Sequence, residues 1–413
     1  MEQDTGIVIE HVLLLLVLIF GLGMVSGKLA SALRIPDVAM FLVAGIVVGQ
    51  GFHLVNEPST SFTNQFILTL GSVLILFDGG RNIRLSGLRK VWVTLSLLSV
   101  PGVLITAGLV GLTAHYALDL PIPYALLLGA IISSTDPATI IPVFRQVRIR
   151  EKIRETVESE SAFNDATGSI LTFSIIAYIL GTEEVSFAGA SLDFVISAAG
   201  GIVLGVALAL IAVYLVAHSR IGTLREYTTI AMLTVAIAAY LLGEMLGVSG
   251  FMATFTAGLI WGNSSQFGLR MEDKHHEMAH FTDNVTALMR MLIFILLGSQ
   301  VDFAHVYEYL WPSLGVMVVF MFVARPLTVF LCALPDRRAE WTWRELLFMC
   351  WVRETGVIPA ALSGMVAGLG IAHTDAIASV TFLAILLTIL VQASTTAYVG
   401  RKLGLEEKAG ARG

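Results

Sequence analysis

Apolar runs alternate with short polar segments along the whole chain. A helix needs about 20 apolar residues to cross the hydrocarbon core of a bilayer, and thirteen runs approach or reach that length. They lie at residues 7–26, 36–52, 63–80, 91–116, 122–144, 157–181, 190–217, 226–244, 247–262, 281–300, 308–334, 344–370 and 374–400. The pattern predicts an all-α polytopic membrane protein with thirteen transmembrane helices.

The charges between the runs favour the same count. Lys and Arg follow every odd-numbered run, and these basic loops hold 22 of the 25 basic residues. The loops on the opposite side hold acids and no basic residue, namely Glu57, Asp119, Glu183, Glu184, Asp193, Asp302 and Asp375. By the positive-inside rule we expect the N-terminus outside and the C-terminus in the cytoplasm, in a plasma or inner membrane.

Composition excludes a soluble globular protein. Charged residues make up 14% of the 413 residues, against about 25% in soluble domains, so residues 1–413 are predicted to form a single membrane domain. The acidic N-terminal segment lacks the basic flank of a signal peptide, and the first run should therefore remain as a span. Cys332 and Cys350 lie in apolar segments and indicate no disulfide framework.

Two pairs of motifs indicate an internal repeat. "AGIVVG" in run two matches "AGLIWG" in run nine, and "SSTDPAT" in run five corresponds to "ETGVIPAA" in run twelve. Runs one to six then correspond to runs eight to thirteen, with run seven as a linker. Since the shift is odd, the two copies have opposite topology, as in many secondary transporters. The simpler alternative is that small-residue motifs recur at any helix-packing face.

Proline interrupts runs five and twelve. Pro137 and Pro359 each remove a helix hydrogen bond, and each lies near an acid, Asp136 or Glu354. Broken helices at mid-membrane expose backbone groups that hold ions. A packed kink is the alternative, and the neighbouring acids favour the broken helix.

Ionisable residues inside the runs are the candidates for chemistry. A charge at the membrane centre costs roughly 2.5–3.5 kcal/mol even on a mild scale, so such groups need ion pairs, water or bound cations. The set is Asp78, Asp136, Glu160, Asp165, Arg325, Arg353 and Glu354. A salt-bridge network that only fixes packing is the structural alternative.

The stretch "ESESAFNDATG" carries an acid into run six. Ser161 and Asp165 are four residues apart and share a helix face, and Glu160 and Asn164 share the neighbouring face. Carboxylate and hydroxyl oxygens suit a monovalent cation, and a carboxylate also binds a proton. Asp165 can hold one or the other, which is the physical basis of cation/proton exchange.

"SSTDPATIIPVF" followed by "ESESAFNDATG" resembles the monovalent cation:proton antiporter family, in its NhaP-like sodium/proton branch. The resemblance covers nearly the whole chain. It implies an NhaA-like antiporter fold, with two inverted repeats of six spans and with broken helices five and twelve crossing each other. It also implies a homodimer, with a scaffold at roughly residues 1–80 and 190–300 and an ion-translocating core at roughly 91–181 and 308–400.

The same resemblance implies roles for the residues of the ion site. Asp165 is the carboxylate that binds the cation and the proton, and Ser161 and the Thr135 backbone add oxygens for Na+. Asp136 lies where the broken helices cross and balances the charge of their ends. Asp78 occupies a position where an acid contacts the ion through water.

Supporting residues are implied as well. Asn164 stands where the electrogenic branch has a second aspartate, and Glu160 pairs with Arg325 of "VARPLT". The segment "RETG" departs from the family, which commonly has Gly-Leu-Arg-Gly there. The roles of Arg353 and Glu354 are therefore open, and the two are expected to neutralise each other.

Together these residues predict an electroneutral Na+(Li+)/H+ antiporter that exchanges one cation for one proton by alternating access and serves pH homeostasis. Ligand type alone does not separate Na+ from K+, so a K+/H+ antiporter is the first alternative. A cation-coupled solute symporter and an intramembrane aspartyl protease are alternatives from other classes. We expect no enzymatic activity, no cofactor beyond the transported ions and no nucleic-acid partner. His275, His276 and His280 are expected in a solvated loop, with metal binding or pH sensing as alternatives.

Overall fold

The computed structural model describes residues 2–33, 35–52, 54–55, 61–135, 144, 149–181, 187–217, 225–269 and 275–406. Over these residues the regular secondary structure is helical, apart from an isolated bridge between Ile149 and Glu406. The predicted all-α class is confirmed.

Eighteen α-helices lie in this described part of the chain. They are α1 Glu2–Leu33, α2 Asp37–Ile46, α3 Phe62–Asn82, α4 Leu85–Ser99, α5 Pro101–Leu118, α6 Ile122–Ser133, α7 Glu151–Ile179, α8 Phe187–Ala217, α9 Thr228–Met245, α10 Gly250–Gly262, α11 His275–Ser299, α12 Phe303–Glu308, α13 Leu310–Val319, α14 Arg325–Ala333, α15 Trp343–Trp351, α16 Val357–Gly368, α17 Thr374–Leu387 and α18 Ser394–Lys402. Turns of π-helix continue α2, join α13 to α14 and join α17 to α18, at Val47–Gly51, Phe320–Ala324 and Thr388–Ala393.

The helices coincide with the apolar runs. Within the described residues, eight helical segments are long and apolar enough to cross a membrane. Shorter apolar helices lie on runs two, five, nine and twelve, and α7 lies on run six. Each predicted run therefore overlaps a helix, whereas the number of crossings itself stays a prediction.

One loop expectation was wrong. Helix α11 begins at His275, so His275, His276 and His280 belong to a helix. The apolar run was predicted to begin only at residue 281, and the helix extends beyond it at its N-terminal end. The side chains of the first two histidines lie outside the described residues, and His280 is exposed. The described residues contain no cluster of three or more His, Cys, Asp or Glu suited to a metal.

The two glycine motifs lie at helix crossings. Gly45 of run two lies at one crossing, where a Cβ added to Gly298 of α11 would come within 3.0 Å of the Gly45 Cα atom. In run nine, a Cβ added to Gly262 would lie 2.9 Å from the Cα atom of Arg81 in α3. Small residues at such faces let helix backbones approach closely. Run two thus packs on run ten, and run nine packs on run three, which is the pair of contacts that the predicted repeat requires.

A second contact supports the repeat. The hydroxyls of Thr106 in α5 and Thr328 in α14 lie 3.2 Å apart, and the two residues are 222 positions apart in the chain. Pro137 and Pro359 have the same offset. A residue that touches its own counterpart lies on the axis that relates the two copies.

Run twelve is broken, as predicted, but the break precedes the proline. Helix α15 ends at Trp351, Val352 is extended, and α16 begins at Val357. Pro359 lies in the first turn of α16, where no helical partner awaits its missing N–H. The interpretation of Pro359 as the interrupting residue was therefore wrong.

Side chains from other helices satisfy the backbone at this break. Non-helical backbone at membrane depth requires partners in the protein or in a water-filled cavity, because lipid offers no hydrogen bonds. Arg325 donates to the carbonyls of Met349 and Val352, at 2.9 Å and 3.1 Å. Gln392 donates to the Trp351 carbonyl at 2.8 Å. Tertiary hydrogen bonds therefore stabilise the break in run twelve.

Candidate functional site

The end of α6 brings hydroxyl groups to α7. The helix stops at Ser133, and Ser134 takes an extended conformation with φ −72° and ψ 144°. The turn of the backbone directs the chain at Ser134 and Thr135 onto the middle of α7. Asp136 and Pro137, predicted for this break, lie outside the described residues.

Thr135 is bound to α7 by a network of hydrogen bonds. Its backbone N–H donates to the Asn164 side-chain oxygen at 3.0 Å, and its hydroxyl accepts from the Asn164 amide nitrogen at 2.8 Å. The hydroxyls of Thr135 and Ser161 are 2.7 Å apart. All three residues are buried. The structure therefore joins Thr135, Ser161 and Asn164, and it does so through the Thr135 side chain and N–H, whereas the prediction named its backbone oxygen.

Asp165 lies next to this network with 2% of its surface exposed. The Ser134 hydroxyl donates to its carboxylate. One turn further along α7, the Ser169 hydroxyl donates to the Asp165 backbone carbonyl at 2.8 Å. A buried carboxylate with a hydroxyl oxygen beside it suits a small hard cation, because oxygen ligands replace the hydration shell of the ion. The same carboxylate can be neutralised by a proton.

Glu160, on a different face of α7, forms a buried ion pair with Arg325. Both guanidinium Nη atoms bond to the carboxylate, and Nη2 lies 3.0 Å from Oε2. The two residues are 2% and 1% exposed. The predicted pairing is therefore the one found. Because Arg325 also donates to the carbonyls at the run-twelve break, one side chain ties α7, α14 and the break together.

The amino-acid sequence matches a known family over most of its length. The family model described as "Sodium/hydrogen exchanger, transmembrane" matches residues 14–402. The chain belongs to the sodium/hydrogen exchanger family. This confirms the resemblance seen in the sequence, and the family is one of transporters rather than of enzymes.

Relatives and solved structures agree with this assignment. The exchanger is 31% identical over 409 residues to Na(+)/H(+) antiporter 1 of Methanocaldococcus jannaschii, covering 92% of this chain and 93% of the relative. It is 27% identical to K(+)/H(+) antiporter NhaP2 of Shewanella baltica, covering 94% of this chain and 66% of that one. The structure of the sodium proton antiporter MjNhaP1 from M. jannaschii at pH 8 superposes with a TM-score of 0.81 at 29% identity, over 98% of this chain and 99% of that one. The antiporter fold predicted from the sequence is thereby confirmed.

Asp78 of the exchanger has a partner that the sequence analysis missed. Arg81, three residues further along α3, donates from Nη2 to Asp78 at 2.7 Å, and Asn82 donates to the other carboxylate oxygen at 3.2 Å. Arg81 also donates to the Thr282 hydroxyl at 2.7 Å and is 8% exposed. Arg81 was counted with the basic residues of the loop after run three, but it belongs to the last turn of α3, which lies against α11.

Arg353 and Glu354 do not neutralise each other. Arg353 donates to the carbonyl of Ser133 at 2.6 Å, and its guanidinium carbon lies 4.9 Å from the ring centre of Phe320. Glu354 lies within 3.5 Å of the Thr396 hydroxyl. No ion pair joins the two among the described residues, and the expectation was wrong because each side chain has a partner on a different element. Arg353 instead connects the run-twelve break to the end of α6, where a cation is favoured by the helix dipole.

Ser134 is the site residue that sequence reasoning passed over. The doubled serine in "SSTDPAT" was the available signal, since hydroxyls beside a helix break commonly find new partners. Ser133 gives no such contact, because its hydroxyl donates back to the Ala130 carbonyl at 2.7 Å. Only the structure separates the roles of the two serines.

Proposed function

We propose that the protein is an electroneutral Na+(Li+)/H+ antiporter that exchanges one cation for one proton at Asp165. The observation that carries this proposal is the buried Asp165 carboxylate, which accepts from the Ser134 hydroxyl. The neighbouring residue Asn164 is hydrogen-bonded to Thr135, whose hydroxyl contacts that of Ser161. Burying an uncompensated carboxylate is costly, so a cation and a proton compete to neutralise it. Alternating exposure of that one site to the two sides then couples their gradients.

Two other buried carboxylates of the candidate set are already neutralised, which favours Asp165 as the exchanging acid. Arg325 pairs with Glu160, and Arg81 pairs with Asp78. Asn164 is held by Thr135 and does not ionise. We assign Asp136 and Pro137 a supporting role at the crossing of the broken helices, on the family resemblance alone.

The cation is proposed to be Na+, with K+ as the alternative. Relatives named as Na(+)/H(+) and as K(+)/H(+) antiporters both align over most of the chain. Carboxylate and hydroxyl oxygens accept either ion. The relative with the higher identity, over nearly its full length, is named for Na+, and we follow it. We propose no enzymatic activity and no cofactor.

The remaining features of the assignment are proposals on the same basis. The basic loops support a cytoplasmic C-terminus and an N-terminus outside, in a plasma or inner membrane. A homodimer is proposed, with a scaffold at roughly residues 1–80 and 190–300 and a core at roughly 91–181 and 308–400.

Exchange in proteoliposomes tests the assignment. Purified protein is reconstituted with a pH dye inside, and Na+, Li+ or K+ is added outside. Asp165→Asn keeps the shape of the side chain but abolishes its charge, so exchange is expected to fall to the level of empty liposomes. Asp119→Asn is the matched control, because Asp119 is exposed and its left-handed backbone, φ 54°, suits Asn equally. Near-normal exchange in Asp165→Asn would overturn the proposal, and a response to K+ alone would replace Na+ by K+.

A further inference from the structure

A cavity of about 380 Å³ lies between α7, α8 and the turn that joins α9 to α10. Its lining is rich in oxygen for a protein of this composition: Ser169, Ser174, Ser197, Ser249 and Glu244 all contribute. The α9–α10 turn and the C-terminal end of α7 both belong to the side of the acidic loops. The cavity therefore approaches the middle of the molecule from that side.

The wall of the cavity formed by α7 continues to Asp165. Ser169, Ile170, Phe173, Ser174 and Ala177 line it, with the spacing of a single helix face. One turn further in, the same face carries Asp165. Ser169 joins the two, since it lines the cavity while its hydroxyl donates to the Asp165 carbonyl.

The hydroxyls on this wall present acceptor oxygens. Ser169 and Ser174 each donate their proton to the backbone carbonyl four residues earlier, at 2.8 Å and 2.9 Å. A hydroxyl that has donated its proton has only lone pairs left to offer. The wall is thus suited to a cation and less suited to an anion.

Glu244 supplies the charge at the outer end. It is exposed in the last turn of α9, and its Oε1 accepts the Gly250 N–H at 3.2 Å, which holds the carboxylate over the cavity. Gly247 and Ile196 beside it are also exposed, so the cavity opens at this end. A carboxylate at the mouth of a cleft raises the local concentration of cations there.

We propose that Glu244 and the serines of this cavity form an access site through which a monovalent cation reaches Asp165 from the side of the acidic loops. The inference rests on the proposed exchange at Asp165. It adds a second acid, which attracts the cation and does not itself exchange a proton for it.

Charge selectivity of thiol labelling tests the site without relying on transport. Ser174→Cys is treated with membrane-impermeant methanethiosulfonates, one bearing a trimethylammonium and one a sulfonate. We expect the cationic reagent to react faster, and Glu244→Gln to lower the cation-to-anion rate ratio on the order of three- to tenfold. Asp375→Asn is the matched control, because Asp375 is an exposed acid on the same side that lines a different cavity. Protein with only its native Cys332 and Cys350 gives the background. If Ser174→Cys does not fold, Ser197→Cys probes the opposite wall.

A transport measurement completes the test. Glu244→Gln should raise the half-saturating Na+ concentration by a similar factor on the side from which the thiol of Ser174→Cys is labelled, with the opposite side and the maximal rate unchanged. An unchanged labelling ratio, or an altered ratio with unchanged half-saturation, would overturn the access site. Failure of the proposed function is distinguishable, because exchange would then persist in Asp165→Asn whatever the labelling shows.

Discussion

The loss of Arg325 is expected to be among the most destabilising single changes in the core. Removing one partner of a buried ion pair costs about 3–5 kcal/mol, because the other charge stays buried and unpaired. Arg325→Gln also removes donors from the carbonyls of Met349 and Val352, at about 1–3 kcal/mol for each acceptor left unsatisfied. We therefore expect a total of about 5 kcal/mol or more.

The partner variant separates these contributions. Glu160→Gln strands the arginine but leaves its bonds to the break in place, so about 3–5 kcal/mol is expected. In the double variant no buried charge is left unpaired, and only the carbonyl bonds are lost, at about 2–6 kcal/mol. The double variant should thus be more stable than Arg325→Gln alone. The coupling between the two sites should be about 3 kcal/mol or more.

Equilibrium unfolding in mixed micelles measures these free energies. Sodium dodecyl sulfate is titrated into detergent-solubilised protein, and tryptophan fluorescence reports the transition. The control is the pair of Arg290 and Asp37, which are 3.3 Å apart with side chains 17% and 26% exposed. Its coupling should be about 1 kcal/mol or less, because solvent screens it. Additive losses in the Glu160–Arg325 cycle would refute the reasoning, as would equal coupling in the two pairs.

Voltage, pH and a second buried arginine give the remaining predictions. Exchange of one cation for one proton moves no net charge, and voltage acts only on moved charge, at about 2.3 kcal/mol per charge per 100 mV. Once K+ is shown not to be transported, initial rates in proteoliposomes clamped with K+ and valinomycin should be equal at zero and inside-negative potential. A clear voltage dependence would mean that a second acid exchanges its proton. The hydrogen bond from His305 to Asp302 raises the pKa of His305, while the Ala304 N–H and His305 lower the pKa of Asp302. The stability that charged His305 adds should be fully present below its ordinary pKa of about 6.5 and lost as pH rises through its raised folded value. The thermal unfolding temperatures of wild type and His305→Ala should therefore converge above neutral pH, and a constant difference across pH would count against the pair. Arg353→Gln should cost about 1–3 kcal/mol, because the buried Ser133 carbonyl loses its donor. A loss as large as that of Arg325→Gln would show that the charge of Arg353 has a larger structural role.

The sequence by itself determined the helices, and it indicated Asp165 as the acid for which we propose exchange. In a bilayer every backbone group must find its hydrogen-bond partner within its own segment. A local apolar run is therefore enough to predict a spanning helix, and the runs overlap the observed helices. An acid such as Asp165 stands out in an apolar run, because burying its charge in the membrane costs free energy and such residues mark functional sites. Glu160 and Arg325 were paired through a family pattern, although 165 residues separate them.

Only the tertiary structure decided which polar groups meet. Arg81 looked like the start of a basic loop, and it is buried because α11 lies against the last turn of α3. Arg353 adjoins Glu354 in the chain, and it binds the Ser133 carbonyl 220 residues away because the end of α6 meets the run-twelve break. The break itself precedes Pro359, since Arg325 and Gln392 from other helices satisfy the exposed carbonyls. Apolar periodicity records how a helix meets lipid, whereas the partners of buried polar groups depend on how distant helices cross, which no local pattern specifies.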